Sequence, residues 1–294
     1  MNEIINVKAP ATSANVGPGF DVFAFALNMF NEASFERIEK GLEISGCHEK
    51  YRNETNLAFR AYKAVFDVTG KKMGGLRLTE KNQIPFCRGL GSSAAMISEG
   101  AVSANEMLGS PLDKEELLEV CLQIEPHPDN LAACIYGGFT SAVKVNDKHV
   151  VKNTNVSDTL DFYAIISDQQ VSTDEARLVL PKEITLSDAI FNISRASMLQ
   201  GAFESGDQSL LSALLRDRIH EPYRKKLIDE FDVVRSTAYS SGAYAFYISG
   251  SGSTCIAMSD EKSFVEEMNE NLSRLGIKRK VIKLKASNEG TRRI

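Results

Sequence analysis

The sequence predicts an α+β protein built in two lobes. Three observations carry that expectation. Apolar runs of period two alternate with runs of helical period, yet few strands are separated by a single crossover helix. The chain changes character near residues 153–160, where a strand-rich part gives way to a mainly helical one. Its 294 residues, 43% hydrophobic and 25% charged, suffice for two ordinary domains whose cores need no disulfide or metal. The lobes are expected over residues 1–157 and 158–294.

In the first lobe, residues 4–7 form a short apolar strand, and residues 24–27 and 33–38 also read as extended. Residues 41–47 follow a turn as another strand. Residues 56–68 carry Leu57, Ala61, Ala64 and Val65 at helical spacing. Residues 75–78 return to strand. A helix is expected from about Ser92 to Leu108, stopped by Gly109. The next runs from Leu112 to Glu125. Asp113 and Glu116 have capping-box spacing, Leu117, Leu118, Cys121 and Ile124 mark a buried face, and Pro126 and Pro128 break the helix. Gly137-Gly138 leads into a strand over residues 139–145, and Asn146-Asp147 turns it toward Val150 and Val151. In the second lobe a strand over residues 162–166 precedes helices between 172 and 240. Strands over 243–249 and 254–258, a helix over 261–275 and a last strand over 280–284 complete the chain.

Composition narrows the function. The net charge of −5, with no basic stripe to offset it, speaks against a nucleic-acid partner. Lys278-Arg279-Lys280 and Arg292-Arg293 read as solvated charge. The five cysteines form no C-x-x-C pair and sit mostly in apolar runs, as reduced core residues do. No basic-then-apolar leader and no long apolar run occurs, so a cytoplasmic protein without membrane contact is expected.

The most informative stretch is Pro85-Phe86-Cys87-Arg88-Gly89-Leu90-Gly91-Ser92-Ser93-Ala94-Ala95. Its glycines permit tight turns and close approach to a ligand. Its serines open a helix whose free N–H groups and dipole can seat phosphate. Gly89-x-Gly91-x-x-Ala94 also fits a dinucleotide fingerprint, but Pro85 and Arg88 spoil the strand that motif needs. The P-loop pattern G-x-x-x-x-G-K-[ST] is not met at Gly70-Lys71. A Ser-capped turn without ligand stays open on these residues alone.

Four further clusters carry polar chemistry. Pro10-Ala11-Thr12-Ser13-Ala14-Asn15-Val16-Gly17-Pro18-Gly19-Phe20-Asp21 reads as a turn-rich loop on which Asn15 and Asp21 can converge. Glu125-Pro126-His127-Pro128-Asp129-Asn130 reads as a helix ending on a carboxylate, then a proline-stiffened turn. Its Glu125 suits Mg²⁺ shared with phosphate. Thr173 or Ser172 caps a short helix bearing Arg177, and His220-Glu221-Pro222-Tyr223-Arg224 supplies a second arginine. Two arginines can grip an acidic substrate or simply form surface ion pairs. Ser249-Gly250-Ser251-Gly252-Ser253, between apolar strands, lets backbone approach either a ligand or the Gly89 loop, or is a plain hairpin.

In their order and identity, these motifs resemble the GHMP kinases over residues 9–258, and within them the branch that phosphorylates L-homoserine. The resemblance implies an N-terminal lobe of the ribosomal S5 domain 2-like type and a ferredoxin-like C-terminal lobe. It implies ATP and Mg²⁺ as cofactors, L-homoserine as the small-molecule partner, O-phospho-L-homoserine on the route to threonine as the product, and a homodimer. The implied ATP-binding residues are Pro85, Arg88, Gly89, Leu90, Gly91, Ser92, Ser93, Ala94 and Ala95, with Asn56 near the adenine. Ser92 or Ser93 and Glu125 would hold the metal, with Glu119 as the alternative glutamate. Asn15, Asp21, Arg177 and Arg224 would hold the amino acid. Asn130 would align its hydroxyl, with Asp21 and His127 in catalytic positions and Thr173 close by. Pro126, Ser253 and the bulky Val22-Phe23-Ala24-Phe25 depart from the family pattern. A kinase for threonine, shikimate or mevalonate, or a ligand sensor on the same fold, remains open on sequence.

Overall fold

The computed structural model describes residues 3–294 and is organised around two antiparallel-dominated sheets. In chain order the elements are β1 (Ile4–Ala14), β2 (Phe23–Ile38), β3 (Leu42–Ser45), α1 (Leu57–Thr69), β4 (Gly75–Lys81), α2 (Ser92–Met107), α3 (Lys114–Leu122), α4 (Pro128–Tyr136), β5 (Phe139–Val145) and β6 (Lys148–Thr154). There follow β7 (Phe162–Ile166), α5 (Thr173–Leu178), α6 (Leu186–Ser205), α7 (Gln208–Leu214), α8 (Glu221–Arg224), α9 (Phe231–Ser240), β8 (Ala245–Ile248), β9 (Cys255–Met258), α10 (Phe264–Arg274), β10 (Lys280–Leu284) and β11 (Arg292–Arg293).

The first sheet runs β11-β1-β2-β4-β3, with β5 on the early part of β2 and β6 beyond it. The second runs β10-β7-β9-β8. The expected α+β class is therefore what the chain adopts.

Several local expectations change. The opening loop is half strand: β1 continues through Ala14, and the register against β2 shifts between Pro10 and Ala11. A proline is tolerated there because a bulge relieves the ladder of its missing N–H. The two strands expected over 24–27 and 33–38 are one, because β2 serves two partners in turn, β5 at Phe23–Phe25 and β4 from Glu32 onward. The second helix stops at Leu122, and the N–H groups of Ile124 and Glu125 turn back to the Cys121 carbonyl. Glu125 is thus on the connection, not on the helix. The stretch expected to be only a turn starts α4, with His127 at the N-cap and Pro128 in the first turn, where a missing N–H does no harm. Arg292-Arg293 also forms a short strand, its backbone pairing with Val7 and Lys8 of β1 while the Arg293 side chain stays exposed. Arg279 is held by the Asp229 carbonyl and by Glu230.

Helix α2 does most to shape the surface between the lobes. Nearly all of its residues are buried, so it shows no amphipathic stripe. Its small residues permit that burial. Gly100 lies so close to the Ala58 carbonyl of α1 that no side chain would fit. The helix thus threads the core of the first lobe and brings only its N-terminus to the surface between the lobes.

Candidate active site

Two glycine loops meet at the start of α2. Gly89 and Gly91 have φ of 72° and 65°, left-handed values that favour glycine. A Cβ on Gly89 would collide with the Ser249 carbonyl, and one on Gly91 with the Thr12 hydroxyl. The second glycine loop packs on the first, and its Gly250 and Ser251 also line the cleft. Ser249 Oγ donates to the Gly89 carbonyl at 2.6 Å, Thr254 N–H to the Arg88 carbonyl at 3.2 Å, and Gly250 N–H to the Ala14 carbonyl at 2.9 Å. Arg88 itself reaches the Ser167 carbonyl with Nε at 2.8 Å. The phosphate-loop candidate is pinned from both lobes.

The N-cap of α2 is Gly91, which offers no side chain to its first-turn N–H groups. Uncapped donors at the positive end of a 16-residue helix are suited to an anion. They open on a cleft of about 180 Å³ lined by Arg88, Gly89, Gly91, Ser92, Ser93, Glu125, Asn130, Thr173 and the Gly250 loop, among others. Leu90, Ala94 and Ala95 are fully buried and can contribute only backbone, and Pro85 does not line the cleft.

Ser93 Oγ donates to Glu125 Oε2 in a short contact. A hydroxyl and a carboxylate beside an anion seat are the few oxygens Mg²⁺ takes from protein when phosphate supplies the rest. Among the described residues no cluster of three or more His, Cys, Asp or Glu side chains is placed to hold a metal. A cation here would share its ligands with phosphate, and the donor set fits one. Ser92 is buried at the same turn without that carboxylate partner. Glu119, the alternative glutamate, is elsewhere: it accepts from the His149 backbone N–H at 2.6 Å and contacts that ring.

Past the lining of this cleft lies a cluster of polar and charged side chains. Asn130 is held at both ends of its amide, with Thr12 Oγ1 donating to Oδ1 at 2.7 Å and Nδ2 donating to Asp129 Oδ1 at 3.2 Å. Asp129, a residue to which sequence reasoning gave no role, is buried on α4. Burial raises its carboxyl to about 6, against the lowering effect of the Asn130 N–H. Only its place beside Asn130 in the motif hinted at this. His127 makes no capping bond and is half-buried.

Asp21 and Arg177 form a bidentate pair at 2.8 and 3.0 Å. Arg224 is 2% exposed and donates to the Ala176 carbonyl from Nε and the Gly250 carbonyl from Nη1. Burial lowers it to about 10. The Phe20 ring lies 4.8 Å from the Arg224 guanidinium carbon and 5.8 Å from that of Arg177, and stacks on His220. Asn15 braces this corner, accepting from the Asp21 N–H and donating to the Gly250 carbonyl. Thr173 is exposed at the start of α5, where Ser172, not Thr173, is the cap. Asn56 is different again. Fully buried, it caps α1 through Phe59 N–H and donates to Glu80, and it does not line the cleft.

The chain carrying these features matches known proteins along its length. The model for the GHMP kinases N terminal domain matches residues 56–138, and that for GHMP kinases C terminal matches residues 199–278. The chain belongs to the GHMP kinases, and it is an ATP-dependent kinase. Its curated relatives include homoserine kinase from Clostridium beijerinckii, 42% identical over 98% of this chain and 97% of that protein, and homoserine kinase from Clostridium botulinum Type A, 40% identical over 98% of each. The crystal structure of homoserine kinase from Cytophaga hutchinsonii superposes with a TM-score of 0.89 at 31% identity, covering 100% of this chain and 98% of that one. Within the GHMP kinases the chain falls in the homoserine kinase family.

Proposed function

We propose that the protein transfers the terminal phosphoryl group of ATP to the side-chain hydroxyl of L-homoserine, forming O-phospho-L-homoserine for threonine biosynthesis. The observation that carries this reading is the joining of two unlike half-sites: the uncapped N–H groups of α2, which open on a cleft lined by Asn130 and Gly250, and the Asp21, Arg177 and Arg224 corner, tied to that lining where Arg224 donates to the Gly250 carbonyl.

The residues divide the work. The first-turn N–H groups of α2 and the backbone at Gly89 and Gly91 receive phosphate oxygens. Ser93 and Glu125 hold Mg²⁺, which supplies charge neutralisation on the transferring group when bound. Arg224, whose Nη2 has no protein partner among the described residues, takes the amino-acid carboxylate, with Arg177 beside it. Asp21, already matched to Arg177, offers its carboxylate to the ammonium group. Asn130, clamped by Thr12 and Asp129, orients the hydroxyl for in-line attack. Asp129 Oδ2 has no protein partner among the described residues, and a carboxyl titrating near 6 is ionised at neutral pH and able to accept the hydroxyl proton. The motifs alone assign that proton to no side chain.

The test is ADP release measured over homoserine, threonine, shikimate and mevalonate. Homoserine is expected to give the highest kcat/KM. A preference for another alcohol overturns the acceptor, and no turnover with any of them overturns the kinase reading.

A further inference from the structure

One ring lies under both arginines of the acceptor corner. The guanidinium carbons of Arg224 and Arg177 stand 4.8 and 5.8 Å from the centre of Phe20, and among the described residues neither arginine rests on any other ring. Their hydrogen bonds run to different partners. Arg177 spends Nη1 and Nη2 on Asp21, and Arg224 spends Nε and Nη1 on the Ala176 and Gly250 carbonyls. No single side chain is hydrogen-bonded to both groups among the described residues; Phe20 is the side chain they share. The next residue, Asp21, meets Arg177 again, with its own N–H held by Asn15 at 2.9 Å. One dipeptide therefore holds Arg177 twice, by a ring and by a carboxylate.

The ring is itself fixed by a stack. It lies on His220 with centroids 5.4 Å apart and planes 26° apart. His220 is buried, and its Nε2 is 2.9 Å from the Gly17 carbonyl. A carbonyl only accepts, so Nε2 carries the hydrogen, and Nδ1 has no partner. Burial holds the imidazole in its neutral form, so the stack adds no positive charge beneath two cations. The turn that carries His220 is tied down by Asp217. Its Oδ2 accepts from the N–H groups of Ile219, His220 and Glu221 at 3.0, 2.7 and 2.8 Å, and its Oδ1 accepts from Asn192 at 2.6 Å. The platform under the arginines is thus braced through buried, neutral or fully bonded groups.

A ring face attracts a cation without taking any of its N–H donors. An acidic residue in the same place would also hold the arginines, but it would neutralise and occupy them. The ring instead leaves Arg224 Nη2, which has no protein partner among the described residues, to a ligand. A carboxylate shared by two guanidinium groups binds only as well as their spacing matches it. We propose that Phe20 is a positioning residue that sets acceptor specificity: it spaces Arg177 and Arg224 so that they favour an alcohol bearing a carboxylate over one without. The proposal rests on the homoserine reading of the site and adds to it a determinant that carries no charge.

The experiment is steady-state formation of O-phospho-L-homoserine by the wild type, Phe20→Leu and Phe20→Tyr. Propanolamine, which is homoserine without its carboxylate, serves as the competing ligand. Leucine keeps apolar bulk and removes the ring, and tyrosine keeps the ring. Phe20→Leu is expected to raise the homoserine KM about tenfold, through loss of two cation–ring contacts, with kcat within about threefold of wild type. The inhibition constant of propanolamine is expected to stay within about twofold, because that ligand has nothing for the arginines to hold. Phe20→Tyr is expected to keep the homoserine KM within about threefold of wild type. Phe20 is half-buried, so leucine leaves the fold intact, which an unchanged circular dichroism spectrum checks. The outcomes separate the two readings. A wild type that does not phosphorylate homoserine overturns the acceptor and the role of Phe20 together. With an active wild type, the role of Phe20 alone is overturned by any of three results: an unchanged KM in Phe20→Leu, a KM and a propanolamine inhibition constant that rise in the same ratio, or a Phe20→Tyr as impaired as Phe20→Leu.

Discussion

The two halves of the proposed site are made of different material. The phosphate end is backbone: two left-handed glycines, the N–H groups of α2 and a second glycine loop locked against the first. The acceptor end is side chain: Asp21, Arg177, Arg224, Asp129 and Asn130, drawn from four separate segments. A backbone site has no atoms to spare, so a single methyl group destroys its geometry. A side-chain site is graded, because each group removes only its own bonds. The same division separates tasks. In the proposed reading nothing in the phosphate half distinguishes one alcohol from another, whereas each charge in the acceptor half does.

The largest expected effect comes from the backbone end. Gly91→Ala places a Cβ on the Thr12 hydroxyl and 3.1 Å from Asn130 Oδ1 while forcing alanine to φ 65°. It is expected to lower kcat/KM about 1000-fold or more with every acceptor, since both the anion seat and the hydroxyl guide shift. Steady-state kinetics with two different alcohols checks it, and a loss confined to one acceptor would contradict the division of tasks. Arg224→Ala tests the side-chain end. Loss of charge-assisted bonding worth about 1.5–3 kcal/mol is expected to raise the homoserine KM by one to two orders of magnitude. Because the Ala176 carbonyl also loses the Arg224 Nε donor and the Gly250 carbonyl keeps only Asn15, the melting temperature should fall as well. An unchanged homoserine KM removes Arg224 from the acceptor clamp.

Asp129 gives a smaller and pH-dependent effect. With its carboxyl near 6, kcat/KM is expected to rise about tenfold between pH 5 and pH 7 and then level off. Stability carries the opposite sign. The folded carboxyl holds its proton to higher pH than the unfolded one at 3.8, so its favourable contribution is complete below about 4 and is lost as pH rises through about 6. Asp129→Asn should therefore flatten both the rate profile and the change in urea midpoint between pH 4 and pH 6. A rate profile unaltered by that substitution would leave the hydroxyl proton to another acceptor.

How much of this is legible in the sequence differs between the two ends. The Gly89–Ser93 stretch reads as a candidate anion seat, with a ligand-free turn as its alternative, because glycine and a helix start are local features. The capping box at Asp113 is equally local, and the structure contains its bonds, whereas the cap of α5 is open between Ser172 and Thr173 on sequence and is Ser172 in the fold. The acceptor end is legible only as separate motifs, since nothing in the spacing of Asp21 and Arg177 says that they meet. Asn56 escapes a local reading for the same reason: its partner Glu80 lies 24 residues away. β1 outruns its expected end because the bulge at Pro10 is decided by pairing with β2, and β11 goes unnoticed because two arginines carry no strand signal of their own. Tertiary pairing overrides local preference in both cases.

The smallest predicted effect separates two glutamates that sequence alone leaves as alternatives. Glu125 touches Ser93 at the anion seat, and Glu119 is spent on His149 at the edge of β6. Glu119→Ala removes one backbone acceptor and one ring contact on a side chain that is 36% exposed. The expected cost is about 0.5–1.5 kcal/mol of stability, with kcat and the Mg²⁺ concentration for half-maximal rate within about twofold of wild type. Titrating Mg²⁺ against rate in Glu119→Ala and Glu125→Ala decides the point, since only the second should demand more metal. If Glu119→Ala demanded it instead, the cation would have to sit on the α3 side, away from the uncapped turn of α2, and the backbone end of the cleft would lose its claim to the phosphate.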